Sequence, residues 1–191
     1  TTGWPACLAR LPHGFADPRV LLPDHPARPG LSRQEFSQAV SAIKLGATYK
    51  TTKPGRHAQS NALLAATFRD ASPSVLDVGA SDGSTSLDLL DALPNLTRYH
   101  ATDLALELGA ARRGGATYFY DPSGAPCLAV TNRFLFHADT NQAVFPLGHW
   151  ARHALKKAPA APDIAVDLIQ PELRARARDD ARIRVHTHDI L

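Results

Sequence analysis

Apolar positions change their spacing near residue 74, and the change predicts helices before that point and alternating strands and helices after it. The segment LSRQEFSQAVSAIKLG (residues 31–46) has apolar side chains at helical spacing behind a Ser-x-x-Glu capping signal, so it is predicted to be a helix. A second helix is predicted from about His57 to Arg69, where the breaker DASPS follows.

From Ser74 onward, short apolar runs alternate with amphipathic segments. Val75–Val78 is predicted to be a strand, Ser84–Leu93 a helix and Tyr99–Thr102 a second strand. A strand–helix–strand unit with short links brings its two strands together in a parallel sheet. Further along the chain, IAVDLI is predicted to be a strand, QPELRARARDD a helix with Pro171 in its first turn, and IRVHTHDIL the last strand.

The alternation is interrupted by a segment that runs from about residue 109 to residue 163. Within it, ATYFYDPSGAPCLAV has the pattern of two strands around the turn Asp121–Gly124, whose proline and glycine suit a type I turn. The sequence RFLFHA is predicted to add a third strand. We therefore expect a β-rich insertion (109–163) in this part of the chain.

The N-terminal residues 1–30 contain six prolines, which remove backbone donors and fix φ, so they are predicted to form an irregular arm. The predicted fold class is α/β. Its parts are a Pro-rich arm (1–30), an N-terminal helical cap (31–71) and a sheet domain (72–191) that carries the insertion.

Composition and charge restrict the function classes. The 191 residues are 44% hydrophobic and 20% charged, and no apolar run approaches the roughly 20 residues that a membrane helix needs. A net charge of +3 with a pI near 9.1 is too mildly basic to favour a nucleic-acid partner. Two cysteines, Cys7 and Cys127, make no disulfide framework, so we expect free thiols and a cytoplasmic location.

The sequence DVGASDG (77–83) lies where the first predicted strand of the sheet turns into a helix. Asp77 is near the end of the strand, and Gly79 and Gly83 flank a tight turn. Open α/β sheets bind ligands at the C-terminal ends of parallel strands, where glycine permits positive φ and close approach. The second strand ends at Asp103, twenty residues after Gly83, and a carboxylate there can accept both hydrogen bonds of a ribose diol.

This arrangement resembles the class I S-adenosylmethionine-dependent methyltransferases, whose first motif reads acidic-x-Gly-x-Gly-x-Gly at the end of the first strand. The chain departs from that motif at Ser81, a small residue in place of the middle glycine. The resemblance covers about Ser74 to Leu191 outside the insertion. It implies a Rossmann-like sheet, S-adenosyl-L-methionine as the cofactor, and methyl transfer to an unidentified acceptor, either a small molecule or a protein.

The resemblance also implies which residues bind the cofactor. The glycine turn would hold the methionine part, the end of the second strand the ribose, and the end of the last strand the adenine. In that order, the residues are Asp77, Gly79, Ala80, Ser81, Asp82 and Gly83; Asp103 and Leu104; and Asp189 and Ile190. A second acid, Asp167 in IAVDLI, competes with Asp103 for the ribose position, and the spacing from Gly83 favours Asp103.

Two other functions compete with methyl transfer. A nicotinamide-dependent oxidoreductase would hold a pyrophosphate in Gly-x-Gly-x-x-Gly, but that spacing is not met, and Asp77 would repel the pyrophosphate. A non-catalytic module of the same fold would bind the cofactor or a partner chain without reaction. No catalytic base can be named, and the nine histidines show no third ligand at suitable spacing, so no metal is expected.

The sequence ends two residues after Asp189, although the fourth to seventh strands of the methyltransferase sheet would follow that position. A sheet that stopped there would leave the flank of its first strand unpaired, which is costly where it is buried. Three explanations stay open: the sequence is part of a longer chain, which we favour; another chain, as in a homo-oligomer, completes the sheet; or the protein is a truncated relative that binds without catalysing.

Overall fold

The computed structural model describes residues 16–45, 48–50, 53–131, 135–137 and 154–187. It is a mixed α/β structure with a parallel three-stranded sheet and a separate antiparallel sheet. The chain divides into two compact units. The first holds the described residues of Thr1–Thr51 and Glu107–Asp167, and the second holds those of Thr52–Leu106 and Leu168–Leu191.

Helices and strands are numbered separately along the described residues. The helices are α1 (Arg33–Ser41), α2 (Ala58–Thr67), α3 (Ser84–Ala92) and α4 (Pro171–Asp179). The strands are β1 (Lys44–Leu45), β2 (Thr48–Tyr49), β3 (Ser74–Val78), β4 (Arg98–Asp103), β5 (Glu107–Arg113), β6 (Ala116–Tyr120), β7 (Pro126–Thr131), β8 (Leu135–His137), β9 (Ile164–Asp167) and β10 (Ile183–Thr187). In this described part of the chain, every helix is too short or too polar to cross a membrane.

The parallel sheet lies in the second unit and has the strand order β10-β4-β3. Its register aligns Val75 with Tyr99 and Tyr99 with Ile183, and the alignment continues along all three strands. α3 connects β3 to β4, so the predicted strand–helix–strand unit with parallel strands is confirmed.

One face of the parallel sheet packs into a hydrophobic core. Because side chains alternate between the two faces of a strand, every second residue of β4 and β10 points to this core. The core is formed by Ala80, Leu87, Leu90, Leu93, Leu96, Tyr99, Ala101, Leu106, Ile169, Leu173 and Ile183. Burial of each leucine contributes about 1.5–3 kcal/mol, so α3 and α4 are held to the sheet mainly by these contacts.

The antiparallel sheet lies in the first unit and has the order β8-β7-β6-β5-β9. β6 is buried along its whole length. The turn after β6 is closed by Asp121, whose carboxylate accepts hydrogen bonds from the amides of Ser123 (2.9 Å) and Ala125 (3.0 Å). The two strands predicted around this turn are therefore confirmed. The thiol of Cys127 on β7 is free, and burial raises its pKa to about 12.

β9 belongs to the antiparallel sheet. The sequence pattern predicted instead that the insertion ends at residue 163, before IAVDLI. Glu107 pairs with Asp167 and Ala110 with Ile164 in antiparallel register, so the described part of the segment from Glu107 to Asp167 belongs to the first unit. Gly109 permits the arrangement, because a Cβ there would overlap the Pro162 ring. A short β-branched run does not specify its partner strand, and only the tertiary pairing decides it.

The N-terminal part of the first unit follows its predicted signals with one difference. Ser32 and Glu35 form the expected capping box of α1. The helix ends at Ser41 instead of continuing towards Gly46, because β1 begins at Lys44 and pairs with β2. The described part of the preceding arm (16–30) is irregular, with short 3-10 turns, and its Leu21 and Leu22 are buried.

Replacement of Gly83 by alanine is expected to destabilise the protein more than the same replacement of Gly79. Both glycines have positive φ (82° and 77°), which costs an L-residue about 1–2 kcal/mol. A Cβ at Gly83 would also overlap the side chain of Leu173, whereas no described atom lies within 4 Å of a Cβ at Gly79.

Urea denaturation of the two variants measures the difference. We expect Gly83→Ala to lose about 1 kcal/mol more than Gly79→Ala, since overpacking adds to the backbone cost. Equal losses would contradict the close packing of Leu173 against the turn.

Candidate functional site

The candidate site is built on the loop that follows β3, at the C-terminal edge of the parallel sheet. The loop takes positive φ at Gly79 (77°), Ser81 (57°) and Gly83 (82°). The amides of Gly79 and Ala80 both donate to the carbonyl oxygen of Thr102, at 2.9 and 3.0 Å. These bonds fix the start of the loop against the end of β4.

Asp103 attaches the middle of the loop to the end of β4. Its Oδ2 accepts a hydrogen bond from the Ser81 amide at 2.7 Å, and its Oδ1 accepts one from the Ala105 amide at 3.1 Å. The carboxylate is half-buried. Bonds from both neighbouring backbone segments hold it in one orientation beside the loop.

Asp77 occupies the end of β3, on the face of the sheet that carries the core. Its Oδ2 accepts hydrogen bonds from Ser86 Oγ on α3 and from Tyr99 Oη on β4, each at 2.6 Å. Burial, and then the charge of Asp77, raise the pKa of Tyr99, so the phenol stays a donor. Within the described residues, Asp77 Oδ1 accepts no hydrogen bond.

Asp82 lies under the loop and is fully buried. Its Oδ1 accepts a hydrogen bond from the Ser84 amide, in the first turn of α3, at 2.9 Å. Its Oδ2 accepts from Ser84 Oγ (2.9 Å) and from Gln170 Nε2 (3.0 Å), and the Gln170 amide donates to the Asp82 carbonyl oxygen at 2.8 Å. Asp82 therefore supports the loop from inside and does not present its side chain to a ligand.

Ser81 is the strained position of the loop. It is the one described residue other than glycine with a positive φ. Its hydroxyl is buried and has no hydrogen-bond partner among the described residues. The middle position of the motif thus takes the left-handed conformation that favours glycine, and serine occupies it at a cost.

The structure brings together the predicted residues of the glycine loop and of the end of β4, and leaves others apart. Ala80 is buried in the core, whereas Leu104 is 62% exposed. Asp167, the rival of Asp103, ends β9 in the other unit. Asp189 and Ile190 lie outside the described residues.

Three residues of the site could not be assigned from the sequence. Gln170 precedes α4 and bonds to Asp82 across a separation of 88 residues. Tyr99 and Ser86 donate to Asp77 from two other elements. The sequence offers only one sign of such residues, which is polar side chains among apolar ones near the glycine motif. The folded structure is needed to show which groups they bond to.

Metal binding has no support in the described part of the chain, where no three His, Cys, Asp or Glu side chains lie close enough to share an ion. His100 and His186 are neighbours, with ring centroids 5.2 Å apart. Two ligands do not complete a site, since metal sites use three or four protein ligands.

No protein-family model matches the chain, and no match was found among curated proteins or solved structures.

Replacement of Gln170 by leucine is expected to destabilise the protein by about 2–3 kcal/mol, because the buried carboxylate of Asp82 loses a donor. The matched control is Gln34→Leu, at an exposed glutamine of α1, where we expect a change within about 0.5 kcal/mol. Urea denaturation gives both values. A loss at Gln170 no larger than at Gln34 would show that the amide does not support Asp82.

Replacement of Ser81 by glycine is expected to stabilise the protein by about 1 kcal/mol. Glycine removes the left-handed cost of about 1–2 kcal/mol and the unpaired hydroxyl, and adds about 0.5–1 kcal/mol of backbone entropy loss. Ser81→Ala removes only the hydroxyl, so its stability should fall between those of the glycine variant and the original protein. Thermal denaturation orders the three proteins, and a serine protein that is the most stable would contradict this account.

Proposed function

We propose that the protein binds S-adenosyl-L-methionine at the loop after β3 and transfers its methyl group to an acceptor that is still unidentified. The support comes from a glycine loop at the C-terminal edge of a parallel sheet, flanked by two half-buried carboxylates on adjacent strands. Open α/β sheets bind nucleotide-like ligands at this edge.

The observation that carries the proposal is the buried carboxylate at the N-terminus of α3. Dinucleotide folds place a pyrophosphate at this helix end, where free amides and the helix dipole attract anions. Here Asp82 already accepts the Ser84 amide and places a negative charge at that end. A ligand without phosphate and with a positive charge is therefore favoured over a dinucleotide.

Each end of such a ligand has a counterpart among the described residues. Asp77 has an oxygen that no described donor occupies, and it suits the ammonium of the methionine part. Asp103 is held beside the loop by two backbone amides, which preorganises it as an acceptor for a ribose diol. Leu104 offers an exposed apolar surface next to it, suited to a purine.

The strand order supports the same proposal. The first, second and third parallel strands along the chain lie in the order 3-2-1, which is the order that the first three strands have in a doubly wound sheet. In such a sheet the first two strands end side by side. The acids of β3 and β4 then face one ligand from two adjacent strands.

The chemistry fits a site built for positioning. When bound, S-adenosylmethionine supplies an electrophilic methyl group on a sulfonium sulfur. The chain's own contribution is to hold the donor by Asp77 and Asp103 and to exclude other orientations. Positioning of two reactants can supply about 7–11 kcal/mol of the barrier in ideal cases.

Calorimetry with S-adenosylhomocysteine tests the binding step. We expect saturable binding to the original protein and a loss of at least about tenfold in affinity in Asp103→Ala, because a half-buried charge-assisted acceptor is removed. Asp167→Ala is the matched control and should bind normally, since that acid ends β9 in the other unit.

The same experiment separates the alternatives. Binding of NAD without binding of S-adenosylhomocysteine would refute the proposal and select an oxidoreductase. If S-adenosylhomocysteine binds, labelled S-adenosylmethionine in a cell extract then tests for methyl transfer. Binding without any transfer would leave a cofactor-binding module and would contradict the catalytic half of the proposal.

A further inference from the structure

The second face of the parallel sheet is not covered by the core. Side chains that alternate with the core residues of β3, β4 and β10 point to this side, which we call the open face. Its described positions are Ser74, Leu76, Val78, Arg98, His100, Thr102, Arg184 and His186. Of these, Thr102 is buried, and its hydroxyl donates to the carbonyl oxygen of Asp77. Leu76 is 65% exposed and Val78 is 54% exposed.

Exposure of these two side chains is unusual for a parallel sheet. Parallel sheets normally have both faces covered, because their connections place helices on each side. β3 is also an edge strand, and no charged residue or proline on its open-face side protects it from pairing. The opposite edge strand, β10, does carry such protection, since Arg184 and His186 point to the open face.

Charge on the open face has one sign. Arg98 and Arg184 form no ion pair with any described residue. His100 lies against His186. The pKa of His100 is lowered, mainly by desolvation and then by the nearby charges of His186, Arg184 and Arg98. The outward positions of the three strands include no Asp or Glu. The face therefore has an apolar side on β3 and a cationic side on β10.

We propose that the open face is a docking surface for an amphipathic helix whose apolar stripe is flanked by carboxylates. Neighbouring strands lie about 4.8 Å apart, so the distance from β3 to β10 is about 10 Å, the diameter of one helix with its side chains. A helix that lies along β4 would then place its stripe over Leu76 and Val78 and its acidic flank over Arg184. Leu76, His100 and Arg184 are aligned across the three strands. One helix can therefore contact the apolar side and the cationic side at the same time.

A polyanion such as a nucleic acid is the weaker fit. It would use the cations but would leave Leu76 and Val78 in water, so the contact would gain nothing from burying their apolar surface. An amphipathic helix binds by laying its apolar face on an apolar surface, and Leu76 and Val78 supply such a surface here.

Fluorescence anisotropy with labelled synthetic peptides and the full chain tests the proposal. One peptide of about four turns carries a leucine stripe flanked by glutamates, and its twin carries lysines instead. We expect the glutamate peptide to bind at least about tenfold more tightly than the lysine twin. Arg184→Glu should reverse this preference, because it replaces an unpaired cation that faces the flank.

Two leucine variants locate the contact. Leu76→Asp should weaken binding of the glutamate peptide by about tenfold or more, since it places a carboxylate under the stripe. Leu63→Asp is the matched control, because Leu63 is 69% exposed on α2 and lies off the sheet, and it should bind as the original protein does. Circular dichroism checks that each variant is folded. If Leu76→Asp does not fold, Leu76→Ser takes its place.

Three results would overturn the proposal. The first is no binding of the glutamate peptide at millimolar concentration, and the second is equal binding of both peptides. The third is binding of polyglutamate or an RNA homopolymer as tightly as the helix, without sensitivity to Leu76→Asp. That last result would assign the face to simple polyanions.

Discussion

The second unit depends on the hydrogen bonds that the buried carboxylate of Asp82 accepts. This carboxylate joins the loop after β3, the first turn of α3 and the residue before α4, through Ser84 and Gln170. A buried charge is tolerated only when its hydrogen bonds are satisfied, so these elements must form together. The chain leaves this unit at Leu106 and returns at Leu168, and the Leu168 amide donates to the Leu106 carbonyl oxygen at 2.9 Å. The return point is thereby fixed beside the departure point, which is why a long insertion leaves the parallel sheet intact.

The conformation of the loop follows from that anchor and from the end of β4. Thr102 and Asp103 accept three amides of the loop, and the loop that they hold passes through positive φ at Gly79, Ser81 and Gly83. Glycine meets this requirement without strain at two positions, whereas serine bears a cost at the third. A strained residue between two candidate ligand-binding acids is the pattern of a functional site, since strain persists where the surroundings over-determine it.

Local signals predicted the elements and the pairing of strands that are close in sequence, whereas contacts between distant segments could not be predicted. The capping box at Ser32, the strand–helix–strand pattern from Ser74 and the turn at Asp121 are encoded within a few residues, and the structure confirms them. The pairing of β9 with β5 and the bond from Gln170 to Asp82 join residues far apart in sequence. No short-range pattern records such partners. The candidate site was predictable as a glycine loop with flanking acids, but the sequence did not separate the half-buried acids beside the loop, Asp77 and Asp103, from the buried Asp82 that supports it.

The loop and the open face share the ends of the same two strands. Val78 exposes its side chain on the open face, and the loop begins at the next residue. Thr102 holds the loop through its carbonyl oxygen, while its hydroxyl donates to the Asp77 carbonyl oxygen at 3.3 Å. A segment that orders these strand ends from one side also orders the acceptors of the loop amides. Because an ordered loop binds a ligand at a lower entropic cost, the two proposals together imply that the ligand and the helix favour each other's binding, and linkage requires that effect to be equal in both directions.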